Sequence, residues 1–356
     1  MEKIDIGCEE VLSQYDLSSE VKIEPFGTGL INHTWLVIDK GKRFILQKIN
    51  RNVFKQPVNI AHNIELIDNY LKEHHPDYFF VAPVRTGSGT SMVHWGEEYY
   101  RLFPFVENSR VYEVVQSPKQ AFEAARQFGL FTTVLSRLPT EQLKITLPGF
   151  HNLSERWRQF EDASKNGSPG RIRTAAMEID SARKNAFIVD TYEKLKSSKV
   201  LKTRVTHHDT KISNILFDPQ DKGICVIDLD TVMPGFFISD VGDMLRTYLS
   251  PVSEEERDLS KIEVREEYFT AIVEGYVSCM AAELTEVELR HFVYAGMFMI
   301  YMQALRFLTD YLNNDKYYGA RYEGHNLARA QNQLKLLERL QGKKSLLNQQ
   351  VSKFIK

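Results

Sequence analysis

Cysteine is scarce in this sequence. Cys8, Cys225 and Cys279 are the only three in 356 residues, far apart and in no CxxC or Cys/His metal spacing. That argues against a disulfide framework and points to a reducing, cytoplasmic setting. Net charge is nearly absent as well. Forty-five Lys and Arg against 47 Asp and Glu leave a formal charge of −2, so the chain as a whole has no electrostatic pull toward nucleic acid or an anionic membrane. Long apolar runs are missing too: the longest, FVYAGMFMIYM at 292–302, is too short to span a bilayer and reads as a buried helix. The opening MEKIDIGCEEVLSQY is acidic and lacks the basic start and apolar core of a signal peptide. No internal repeat and no low-complexity segment occurs. The expectation is a cytoplasmic globular protein with no nucleic acid, no membrane and no evident protein partner.

What is present is a core-forming composition, 43% hydrophobic and 26% charged, in a chain long enough for roughly two domains. The first hundred residues read mostly as strand: VKIEPF (21–26), INHTWLVID (31–39), a turn at KGK, RFILQKI (43–49), then SMVHW (91–95) and EYYRLFPFVE (98–107). One amphipathic helix interrupts them at 58–74, with Ile60, Ile64, Ile67 and Leu71 on one face. After Glu107 the spacing turns helical, at 118–138, 180–197, 261–280, 286–312 and 326–341, the last with Asn326 as its N-cap. The stretch 162–174 is polar and broken by Gly and Pro, which predicts an exposed loop. The fold class is α+β: a small antiparallel-sheet lobe at 1–106 followed by a larger, mostly helical lobe at 107–356.

Two motifs carry chemistry. VTHHDTKISNILFD (205–218) sets Asn214 five positions after Asp209, and CVIDLDTVMPG (225–235) brings Asp228 and Asp230 out of an apolar strand. Phosphoryl transfer from a nucleoside triphosphate needs a carboxylate for the acceptor proton and oxygen ligands for Mg²⁺. Asp209 suits the base, and Asn214 and Asp228 the metal. The spacing HxDxxxxN followed by a strand ending in Asp is that of protein kinases. An Asp and an Asn at this interval are also ordinary loop residues. The strand-terminal Asp and the sheet-then-helix order favour the kinase.

The segments FGTGLIN, FILQKIN, NIELI, VTHHDTKISNIL, IDLDTVMPG, SDVGDMLR, DLSKI and LRFLTDYL…YEGHNLARA together resemble the aminoglycoside and choline kinase phosphotransferase family, and within it the N-acetylhexosamine 1-kinases. The resemblance covers nearly the whole chain. It implies a bilobal protein-kinase-like fold, ATP with Mg²⁺, and phosphorylation of the anomeric hydroxyl of GlcNAc or GalNAc. Asp209 would be the base, close to the sugar; Asn214 and Asp228 would hold the metal. Lys211 would either neutralise the γ-phosphate or be a solvated cation. His207 would support the loop, and Asp240 with Asp243 would form a capping box for the helix that follows. Asp230, read as sharing a strand face with Asp228, could bind a sugar hydroxyl, support the metal or cap the next turn; the sugar is favoured. On the nucleotide side stand Gly27, Thr28 and Gly29 over the phosphates, Glu65 on the helix, and Pro104, Phe105 and Val106 beside adenine. The relatives' basic position on the third strand falls on Gln47, with Lys48 next to it, and only one of the two can face the site. Leu30 stands where the relatives carry His near the sugar's acetamido group. Arg306, a cation in an apolar helix, needs a partner, for which sugar hydroxyls are the choice. The alternatives are a kinase of the same fold for aminoglycoside, choline, ethanolamine or homoserine, and an inactive nucleotide-binding module.

Overall fold

The computed structural model describes residues 7–27 and 31–355. Its first part is a five-stranded antiparallel sheet: β1 (Lys22–Pro25), β2 (His33–Asp39), β3 (Lys42–Lys48), β4 (Val93–Trp95) and β5 (Glu98–Pro104), in the spatial order β1-β2-β3-β5-β4. The β2–β3 hairpin turns on Lys40 (φ +47) and Gly41 (φ +82). Two positive φ angles match the right-handed twist of the flanking strands, which is why the KGK signal makes a tight hairpin. Helix α1 (Gly7–Leu12) buries Cys8, Val11 and Leu12 against Val37, Leu46, Val93, Tyr100 and Leu102, forming a small core of its own.

Helix α2 (Pro57–His74) links β3 to β4, and the face expected from its periodicity is buried. That face joins the large helical core, not the core under the sheet. Buried Asn63 ties α2 down further: its amide donates to the carbonyls of Lys144 (2.8 Å) and Val232 (2.9 Å) and accepts the Lys144 N–H (2.7 Å).

The helical part consists of α3 (Pro118–Val134), α4 (Leu153–Asn166), α5 (Pro169–Thr174), α6 (Ala176–Lys184), α7 (Phe187–Ser197), α8 (Phe237–Tyr248), α9 (Glu266–Met280), α10 (Glu286–Arg290), α11 (Phe292–Leu312) and α12 (His325–Ser352). Between α7 and α8 lie two small antiparallel ribbons, β6 (Arg204–Thr206) with β9 (Met233–Gly235) and β7 (Ile215–Phe217) with β8 (Gly223–Val226). Helix α11 packs against α4, α8 and α12. By length and composition it could cross a membrane, since it runs ten residues past the apolar stretch read from sequence, yet 89% of its apolar window is buried among the other helices.

Several sequence expectations change here. The segment 162–174 is not an exposed loop: Gly167 ends α4 and Pro169 opens α5, the positions where those residues punctuate helices best. The 180–197 helix divides at Asn185, and the 286–312 helix at His291. Asn326 is not an N-cap. It lies inside α12, fully buried, with its amide donating to Asp310, Asp315 and the Gly319 carbonyl.

Helices α3 and α9 touch along their backbones, and glycine permits it. A methyl group on Gly275 would run into the Phe122 carbonyl, and one on Gly129 into that of Tyr276. Overpacking of this kind costs about 1–3 kcal/mol. Gly275→Ala is therefore expected to lower the unfolding free energy by that amount in a urea titration; an unchanged midpoint would mean the helices are not in contact there.

Candidate active site

The loop 207–214 leaves β6 and ends in a single 3₁₀ turn, Ile212–Asn214. Its shape is imposed from behind by α8. His208 has a left-handed backbone (φ +67), which is costly for a non-glycine residue and persists only where its surroundings fix it. Asp240 fixes it: its two carboxylate oxygens accept the amide N–H groups of His207 (3.0 Å) and His208 (2.7 Å). Asp243 accepts the Thr210 N–H (2.8 Å) and pairs with Arg246 (2.9 Å). The expected capping box is thus not formed. Helix α8 has Phe236 at its N-cap with no side-chain cap, and both acids lie within the helix, facing the loop. Burial pushes the Asp240 carboxyl up to about 7, even against its two amide donors.

His207 is buried, with Phe128 and Phe131 edge-on to its ring. Its Nε2 lies 3.0 Å from the Ile227 carbonyl and its Nδ1 3.3 Å from the Asp209 amide, so Nε2 donates and Nδ1 accepts. Burial holds it below the ordinary histidine range and hence neutral. Asp209 stands at the crest of the loop, its side chain 25% exposed and 2.9 Å from Lys211 Nζ. The Asn214 amide donates to the Asp209 carboxylate (2.9 Å) and carbonyl (2.8 Å), and no donor reaches its Oδ1 among the described residues. Burial works to raise the Asp209 carboxyl, but Lys211 and the Asn214 hydrogen bond outweigh it and hold it below the usual carboxylate range. Burial likewise opposes the charge on Lys211, yet Asp209 and Asp228 keep it well above the ordinary lysine value.

At the mouth of the β7–β8 ribbon the Ile227 N–H donates to the Asn214 carbonyl (2.9 Å), which sets Asp228 beside Asn214. Asp228 is left-handed (φ +59, ψ +63), and Leu229–Thr231 forms a 3₁₀ turn. Strand alternation therefore does not relate Asp230 to Asp228, as the sequence reading assumed. Asp228 is open to solvent at the floor of a cleft crowded by protein, and no donor reaches its carboxylate among the described residues. Burial, then the charge of Asp230, push it up to about 6. Asp230 is 2% exposed, 2.5 Å from Arg101 Nη1, and accepts from Asn32 Nδ2 (2.8 Å). The structure commits it to these two residues and does not present it to an acceptor.

The sheet resolves the choice between Gln47 and Lys48. Lys48 lies opposite Tyr100, which faces the α1 core, whereas Gln47 lies opposite Arg101 on the cleft face. Gln47 Oε1 accepts from Arg101 Nε (3.1 Å) and Nη2 (2.8 Å). Glu65 faces Arg85 (3.6 Å), so the ion pair expected between a third-strand cation and this helix glutamate is not formed. The buried cation on this face of the sheet, among the described residues, is Arg101, on the fifth strand. Sequence reading passed over it, although EYYRLFPF buries a cation among apolar residues, the signal that had singled out Arg306.

Gly27 has φ +74 with open space around it, and Phe26 beside it packs edge-on against Phe105 (6.1 Å). Thr28, Gly29 and Leu30 lie outside the described residues. The Phe105 N–H is spent on the Arg43 carbonyl (3.0 Å) and the Val106 carbonyl accepts from Ser109 Oγ (2.6 Å). By antiparallel alternation the Pro104 carbonyl and Val106 N–H point away from β3, which leaves them for a ligand edge.

Across the cleft, half-buried Arg306 donates to Gln303 Oε1 (3.0 Å), and its guanidinium lies over the rings of Tyr318 (5.4 Å), Phe150 (5.5 Å) and Tyr317 (5.9 Å). No acid pairs with it among the described residues. The His151 ring stacks on Phe150 (4.4 Å) and meets His208 edge-on (5.2 Å), which connects this cluster to the residue next to Asp209.

An ionised carboxylate, a cation beside it, and two oxygen donors (the Asn214 amide and Asp228, unpartnered among the described residues) suit a hard divalent cation and an anionic, multiply charged ligand. The fit depends on the loop's support. Asp240→Ala leaves two buried amides without acceptors, at about 1–3 kcal/mol each. It is expected to lower the unfolding free energy in denaturant titration by at least about 2 kcal/mol; full wild-type stability would mean the loop does not rest on Asp240.

A family model described as "Phosphotransferase enzyme family" (APH) matches residues 22–271. The fold is shared with several solved proteins. An aminoglycoside phosphotransferase from Alicyclobacillus acidocaldarius is 16% identical, with a TM-score of 0.69 over 97% of this chain and 96% of that one. A microcompartment-associated aminopropanol kinase is 18% identical, with a TM-score of 0.61 over 96% and 97%. A choline kinase from Cryptosporidium parvum is 14% identical, with a TM-score of 0.59 over 96% of each chain. With this fold shared over nearly its whole length and a family model matching residues 22–271, the chain belongs to the APH phosphotransferase enzyme family.

Proposed function

We propose that this protein transfers the γ-phosphoryl group of ATP to the anomeric hydroxyl of an N-acetylhexosamine, GlcNAc or GalNAc, releasing the sugar 1-phosphate and ADP. Asp209 takes the hydroxyl proton, the sugar oxygen bonds to the γ-phosphorus, and the bond to the β-phosphate oxygen breaks. Lys211 offsets the charge of the transferred group. Asn214 and Asp228 would hold Mg²⁺, which when bound neutralises the phosphates. The adenine edge would meet the Pro104 carbonyl and Val106 N–H, and the Gly27 turn would border the phosphates. A hemiacetal hydroxyl is more acidic than an ordinary alcohol, so one carboxylate base is enough.

One observation favours a neutral acceptor over the cationic acceptors named for solved proteins of this fold: the ring cluster of Phe150, Tyr317 and Tyr318 already holds a cation, Arg306. A quaternary ammonium or aminoglycoside amine would need bare aromatic faces or carboxylates there. A guanidinium with spare donors suits hydroxyl and acetamido oxygens.

³¹P NMR with ATP, Mg²⁺ and a panel of acceptors tests the reading. A sugar 1-phosphate resonance from GlcNAc or GalNAc is expected. Turnover of choline, an aminoglycoside or homoserine but no hexosamine would overturn it in favour of another acceptor, and no turnover at all in favour of an inactive nucleotide-binding module. Asp209→Asn is expected to reduce kcat at least about a hundredfold with nucleotide binding retained, since general-base contributions run from about 10² to 10⁴. Arg306→Gln is expected to raise the acceptor KM about tenfold or more and leave the ATP KM within about twofold, a loss of charge-assisted hydrogen bonds; an unchanged acceptor KM would remove Arg306 from the sugar site.

A further inference from the structure

The turn 228–231 is held from two directions. From the helical side, Thr231 Oγ1 donates to the His207 carbonyl (2.6 Å), and its own carbonyl lies 3.2 Å from His208 Nδ1. Those contacts fix the far end of the turn. Among the described residues, the side chain of Asp230, in its middle, has partners only from the sheet part: Arg101 Nη1 at 2.5 Å and Asn32 Nδ2 at 2.8 Å. Both are themselves braced. Gln47 Oε1 receives two N–H groups of Arg101, and Asn32 Oδ1 accepts the Asn50 N–H at 3.0 Å. The Arg101–Asp230 pair is 1% and 2% exposed, so water does not compete for it.

Asp228, two residues earlier, carries a left-handed backbone and, among the described residues, no side-chain hydrogen-bond partner. The 3₁₀ turn Leu229–Thr231 starts directly from it. We propose that Arg101 and Asn32 position the metal-binding carboxylate of Asp228 through Asp230, so that the divalent-cation site is complete only with the sheet seated on the helical part. The inference rests on the Mg²⁺-dependent kinase reading. It moves the cation and carboxylate expected within the sheet lobe, on β3 and α2, to a pair that spans both parts, with Arg101 on β5 and Asp230 on the turn. Asp230 is a positioning residue in this account, without contact to the acceptor.

Isothermal titration of ADP with and without Mg²⁺ reads the proposal without turnover. In the wild type, Mg²⁺ is expected to tighten ADP binding about tenfold or more. Removing groups that orient a metal ligand typically weakens metal binding about 10–100-fold. The double variant Arg101→Gln/Asp230→Asn leaves no orphaned buried charge. It is expected to lose most of the Mg²⁺ enhancement, keep its metal-free ADP affinity within about twofold, and show its kinetic defect in kcat and the Mg²⁺ requirement with the acceptor KM unchanged. Arg101→Lys should retain part of the enhancement. If the double variant does not fold, Asn32→Ala is read in the same way with a smaller expected loss. A full wild-type Mg²⁺ enhancement in a folded variant overturns the proposal, as does a defect confined to the acceptor KM, which would make Asp230 a sugar contact. A wild type that binds no nucleotide overturns the kinase reading itself, and is told apart by the wild-type titration alone.

Discussion

Carboxylates repel one another wherever water is scarce, and Asp209, Asp228, Asp230, Asp240 and Asp243 are gathered around a single loop and a single turn. Each buried charge needs a partner, and the structure supplies them in different currencies. Asp240 takes the backbone amides of His207 and His208. Asp243 takes the Thr210 amide and Arg246. Asp230 takes Arg101 and Asn32, and Asp209 takes Lys211 and Asn214. Asp228 alone is left without a donor among the described residues, on a strained backbone at the open end of a hairpin. In the proposed reaction, the one acid left unpaired is the one that would meet the divalent cation.

The rest of the molecule reads as the support for this distribution. Helix α8 carries Asp240 and Asp243 at the back of the loop, and buried α11 fixes α8, with Gly242 letting the two helices approach. Helix α2 is pinned to the helical part through Asn63, and the sheet reaches the same cleft through Arg101. The two parts of the chain therefore meet through specific buried polar contacts as well as through apolar surface. Buried polar contacts left half-satisfied are costly, which ties the geometry of the cleft to the correct seating of the sheet.

Much of this was legible in the chain. Strand alternation and turn residues give the five strands in order, and helical periodicity gives the buried face of α2, because those signals are local. The positions of Asp209, Asn214 and Asp228 stood out because their interval is short and their flanks are apolar. What stayed hidden depends on contacts distant in sequence or on backbone conformations that residue type does not encode. The left-handed Asp228 breaks the pleat, so Asp230 turns into the protein and meets an arginine from another strand. Asp240 and Asp243 have the spacing of a helix cap, but their carboxylates reach back to a loop some thirty residues earlier. Gly167 and Pro169 read as loop and prove to be the punctuation between two helices.

Crystals grown with ADP and Mn²⁺ test the charge distribution most directly. The account predicts one anomalous difference peak between the Asn214 amide oxygen and the Asp228 carboxylate, with Asp230 still on Arg101. A metal bound away from Asp228, or none in a nucleotide-loaded cleft, would contradict it.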